Sequence, residues 1–106
     1  MAKYLIEANY VGDGIKGLLK EGGTSRRAAV EAAAKTVGGS VDAFYYAFGE
    51  TDAYVIIDLP DNATTAALAL TIAATGTVTM RTTVLLTPEE IDQATKKSPS
   101  YRPPGQ

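Results

Sequence analysis

Between Lys3 and Tyr10 the side chains alternate. Tyr4, Ile6, Ala8 and Tyr10 fall on one side and Leu5, Glu7 and Asn9 on the other, the two-residue period of a strand. From Asp13 the apolar positions Ile15, Leu18 and Leu19 fall at helical spacing, which predicts a helix whose first turn Asp13 caps. Gly22 and Gly23 interrupt that pattern, so the helical region is expected to kink or split there. A second apolar stripe of Ala29, Val30, Ala33, Ala34 and Val37 follows. Gly38 and Gly39 end it, because glycine accepts the left-handed conformation of a helix C-cap.

Alternation resumes over 40–49, with Val41, Ala43, Tyr45 and Ala47 on one face and Asp42, Phe44, Tyr46 and Phe48 on the other. Turn residues fill 49–52 and a strand pattern covers 53–59, which together predict an antiparallel hairpin closed by Pro60. Asp61 or Asn62 caps a helix expected to run to about Thr75, where Gly76 stops it. A last strand is expected over 78–86. The TPEE run at 87–90 then spells a capping box with proline at the first helical position. The domain is expected to occupy 1–97, followed by a tail at 98–106 that holds three of the five prolines.

This order of elements is the split βαβ pattern of an α+β, ferredoxin-like βαββαβ fold, with a four-stranded antiparallel sheet and both main helices on one face. The face carrying Ile6, Ala8, Ala43, Ala47, Ala53, Val55, Ile57, Val78, Met80 and Val84 is small and apolar enough to take two alanine-rich helices closely. The opposite face would carry Leu5, Glu7 and Asn9, then Phe44, Tyr46 and Phe48, then Tyr54, Ile56 and Asp58, then Arg81, Thr83 and Leu85. Most of those side chains are apolar or aromatic. A patch of that kind calls for a cover, and a second copy of the same sheet supplies it most economically, giving a homodimer.

Composition narrows the chemistry. The chain has 106 residues, 45% of them hydrophobic and 21% charged, which suits one globular domain. It contains neither histidine nor cysteine, so imidazole and thiolate metal ligands, thiol nucleophiles, serine–histidine triads and disulfides are all excluded. Ten basic residues against twelve acidic ones, with Arg26 and Arg27 the only adjacent arginines, give no phosphate-binding stripe, and nucleic acid is not expected as a partner. No apolar run is long enough for a membrane span, and MAKYLIEANY does not resemble a signal peptide, so a cytoplasmic protein is expected. No cofactor or metal is expected. GDGIKG at 12–17 spells a dinucleotide fingerprint, but a hairpin follows the helix where a parallel strand is required, and its glycines read as turn and helix-start residues. The sequon at Asn62 reads as a helix start.

On the uncovered face, Glu7, Asp58 and Arg81 project among aromatic side chains, where buried charges must be paired or hydrated, and Arg81 is placed to bridge the two carboxylates. Together with Asn9, Tyr46, Phe48 and Tyr54 they are the candidate ligand-binding residues. Three readings are open. A homodimer binds a small apolar or aromatic molecule between its sheets. A cofactor-free enzyme uses Glu7 or Asp58 as base with Tyr46 or Tyr54 as acid or oxyanion donor. An assembly protein docks a partner through its last helix and tail.

The chain resembles the GYD domain family, a bacterial group without an assigned activity. The resemblance rests on the opening YLIEANY strand, on Gly14 to Leu19 with Arg26 or Arg27 after it, and on AFYYAFGETDAYVIIDLPDN at 43–62. The naming motif is represented by Gly49 and Asp52, with Thr51 where the family has tyrosine. Read as turn chemistry, Gly49 supplies an unusual backbone angle and Asp52 a side-chain cap. The family is similar in turn to the dimeric α/β-barrel superfamily, which implies two ferredoxin-like subunits packed sheet to sheet.

Overall fold

Alternation at the N-terminus becomes β1 (Ala2–Tyr10), and the two glycines divide the following helical region into α1 (Asp13–Glu21) and α2 (Gly23–Thr36). The hairpin is β2 (Ser40–Tyr46) and β3 (Ala53–Leu59). After it come α3 (Asn62–Ala73), β4 (Val78–Leu85) and α4 (Pro88–Thr95). The structure, a computed structural model, describes residues 1–106. The strands form one antiparallel sheet in the order β2-β3-β1-β4, the ferredoxin-like arrangement.

Local chemistry sets most boundaries. At the end of α2, Gly38 takes φ +80° and the Gly39 amide donates to the Ala34 carbonyl at 2.8 Å, the closing bond of a Schellman cap. Asp61 caps α3 by accepting from the Thr64 amide at 2.7 Å, and that bond holds its carboxyl below the usual carboxylate range. Thr87 and Glu90 complete the capping box of α4. At α1 the expectation fails. Gly12 occupies the cap position without any side-chain bond, and Asp13 is the first helical residue. The chain turns sharply there because the Val11 amide is tied to the Thr77 carbonyl at 2.9 Å.

The core lies between the helices and one sheet face, where Tyr4, Ile6, Val55, Ile57, Leu59, Ala34 and Leu68 are buried together. Tyr4 is 1% exposed and satisfies its phenol by donating to Asn62 Oδ1 at 2.6 Å, which pins the start of α3 to the centre of the sheet.

The face assignment of β2 needs correction. Val41 pairs with Ile57, but the register then shifts so that Ala43 pairs with Ile56 and Phe44 with Val55. Asp42 is the extra residue of a β-bulge. One inserted residue reverses every later side chain in the strand, so Phe44 and Tyr46 face the helices and Ala43 and Tyr45 face away. Phe48 lies beyond the end of the strand, fully exposed.

The helices do not close tightly over the small residues beneath them. α2 packs on β2 while α3 packs on β3 and β4, and α2 and α3 make little contact with each other. Tyr46 stands under the start of α2, its hydroxyl donating to the Gly23 carbonyl at 3.0 Å. The alanines of the sheet and of α2 are too short to fill the gap this leaves.

Candidate functional site

That gap is a cavity of about 140 Å³. Ile6, Ala8, Ala53 and Val55 of the two central strands form its floor, with Phe44 and Met80 from the outer strands beside them. Val30 and Ala33 of α2 and Leu68 and Ile72 of α3 form its roof. Thirteen of the fourteen lining residues are hydrophobic, and the exception is Arg26. A partly open, apolar volume of this size is on the order of what one benzene ring occupies.

Arg26 comes to the cavity because it lies on the inward stripe of α2, four residues before Val30 and seven before Ala33. Together with Tyr10 and Val78 it also lines an adjoining hollow of about 160 Å³, bounded by Asp13, Gly14, Leu18, Glu21 and Thr77. Arg26 therefore stands at a boundary between apolar and polar space. It bonds Glu21 Oε2 at 3.4 Å, a long and partly exposed ion pair. Tyr46 is close by. Burial above all, and then a hydrogen bond shared with Tyr10, push its phenol up to about 12, so it is a neutral hydroxyl at physiological pH.

The candidates expected on the open sheet face are only partly brought together. Glu7 and Arg81 are cross-strand neighbours and form an ion pair at 3.3 Å. Asp58 is not part of it. By register it sits opposite Lys3, four residues along β1 from Glu7 and so roughly 13 Å away. Lys3 bonds Asp58 Oδ1 at 2.9 Å and also bonds Asp42 at the bulge, which lowers the Asp42 carboxyl and raises the Lys3 ammonium from their ordinary values. Two separate groups, the Glu7–Arg81 pair and Lys3 with Asp42 and Asp58, replace the bridged trio. Neither Glu7 nor Asp58 is the unpartnered carboxylate in an apolar wall that general-base work asks for.

Asn9 and Asp52 act on each other. Asn9 Oδ1 accepts from the Asp52 amide at 2.9 Å, and Asp52 Oδ2 accepts from the Tyr10 amide at 3.0 Å. The aspartate of the motif thus caps the end of β1. Gly49 does not have the unusual angle expected of it, since its φ is not positive. Thr51 is buried, 5% exposed. A shallow hollow of about 330 Å³ next to this turn gathers Glu7, Asn9, Glu50, Thr51 and Arg81, a polar surface already supplied with internal partners. Tyr54 is on the open face beside Tyr45, and Tyr46 is on the opposite side of the sheet from both.

Sequence reasoning missed Tyr10 and Arg26. Arg26 carried a signal, a lone cation in register with an apolar helical stripe. Tyr10 carried none, because its partners Tyr46, Asp52 and Val78 are all far along the chain.

A family model described as GYD domain matches residues 4–95. No curated protein and no solved structure matches the chain.

Proposed function

The chain belongs to the GYD domain family, and from that premise we propose that it is a homodimeric binding protein. Each protomer holds one small apolar or aromatic molecule, and the cavity under α2 and α3 replaces the space between two sheets as the seat of that molecule. The observation that carries this reading is the cavity itself, about 140 Å³ with thirteen apolar lining residues of fourteen. The apolar side chains that line it are only partly withdrawn from solvent. A ligand of matching shape takes that lining out of water without having to open the fold. The open face of the sheet is then free to be the subunit interface. It presents Leu5, Ile56, Leu85, Tyr45 and Tyr54, and no helix of the same protomer packs over it.

Toluene tests the binding reading. Saturating toluene is expected to raise the melting temperature by mass action. Ala33→Leu, which fills the cavity from the roof, is expected to raise the melting temperature of the free protein and to abolish the toluene shift. Absence of any shift in the wild-type protein, with no change in the methyl NMR signals of Val30, Leu68 and Ile72, ends the reading.

A further inference from the structure

Resting on the reading of the cavity as a ligand site, we propose that its ligand is a small carboxylic acid whose apolar body fills the cavity and whose carboxylate is held by the Arg26 guanidinium. Arg26 is the one charged residue among fourteen in the lining, and it also faces the polar hollow that adjoins the cavity. A molecule lying across this boundary meets apolar walls at one end and the cation at the other. A guanidinium has five N–H donors in a planar fork that matches a carboxylate. In Arg26 a single protein bond engages them, the 3.4 Å contact to Glu21, which is longer than charge-assisted pairs ordinarily are. The protein's own carboxylate thus occupies, loosely, the place that the ligand's would take.

The rest of the rim agrees with an anion there. Tyr46, beside Arg26 though not among the lining residues, donates its hydroxyl to the Gly23 carbonyl and as a phenol carries no negative charge at physiological pH, so it sets none against the ligand. Arg27, the next residue, pairs with Glu31 at 3.8 Å along the helix and is not among the lining residues. The opposing charges are Glu21 and Asp13 in the adjoining hollow. Glu21 is therefore a competitor for Arg26, and removing its charge strengthens binding of an acid.

Calorimetric titration with phenylacetate, its neutral isostere phenylacetamide, and toluene separates the possibilities. The proposal expects wild-type protein to prefer phenylacetate to phenylacetamide by roughly ten-fold or more, the range for a hydrogen-bonded charge. Arg26→Gln is expected to erase the preference while leaving toluene binding intact, which also shows that the variant folds. Glu21→Gln is expected to tighten phenylacetate severalfold and leave toluene unchanged. If toluene binds but phenylacetate is no better than phenylacetamide, the carboxylate proposal falls and the apolar-ligand reading stands. If Arg26→Gln keeps the preference, the proposal also falls. If none of the three compounds binds, the underlying reading falls with it.

Discussion

Tyr46 shows how much a single side chain can depend on one backbone irregularity. Turned inward by the bulge, it remains 40% exposed but is partly desolvated, meets Tyr10 and holds its proton well above the ordinary tyrosine value of 10.0. A folded state that binds this proton more tightly than the unfolded chain gains stability that is complete below about pH 10 and disappears as pH rises through about 12. Denaturant unfolding across that interval should therefore show a steeper loss in the wild-type protein than in Tyr46→Phe. Asp52 is tied to a different structural need. Its carboxylate is the acceptor for the half-buried Tyr10 amide, and Asp52→Ala is expected to cost about 1–3 kcal/mol, with Asp52→Asn costing less because an acceptor remains. The type of residue at 52 could be read from the sequence as a cap. Which amide it caps could not, because the partner is 42 residues away.

At the scale of elements, caps and breaks were legible because each depends on residues within one turn. The division at Gly22 and Gly23, the Schellman ending at Gly38, the Asp61 cap and the Thr87 capping box all follow from neighbours in the chain. The bulge at Asp42 was not legible, since two alternating faces of similar apolarity satisfy the strand period equally well. The fingerprint-like glycines illustrate the same division. A Cβ at Gly14 would lie 2.0 Å from the Thr77 carbonyl oxygen, whereas one at Gly17 would meet nothing within 4 Å. Gly14→Ala should thus destabilise by about 1–3 kcal/mol by pushing α1 off the start of β4. Gly17→Ala should stabilise by about 0.5–1 kcal/mol through helix propensity. Thermal unfolding of the two variants reads both signs.

For the whole molecule, the buried core is small, with 12 of 106 residues buried. Tyr45 is 72% exposed and Tyr54 40% on the sheet face away from the helices. The radius of gyration, 17.0 Å, exceeds the roughly 13 Å usual for this length, with a longest extent of 57 Å, and the residues of α4 and the tail are exposed throughout. If the open face joins two copies, sedimentation should give twice the monomer mass of 11.1 kDa. Ile56→Glu, which puts a charge at the centre of that face, should halve the sedimenting mass while leaving the circular dichroism spectrum of the protomer unchanged. A wild-type monomer at high protein concentration would refute the dimer.

The sequence by itself determined the elements, their order and hence the sheet topology, because hydrophobic period, caps and turns are local and because connection rules leave few ways to join them. It also determined what chemistry is closed to a chain without histidine or cysteine. Only the tertiary structure decided which way β2 faces, that Glu7 and Asp58 sit in separate ion pairs, and that the alanines frame an apolar pocket with Arg26 among its lining residues. Each of these depends on register and on the gap between two helices, quantities set by contacts between residues far apart in the chain, to which local period is blind.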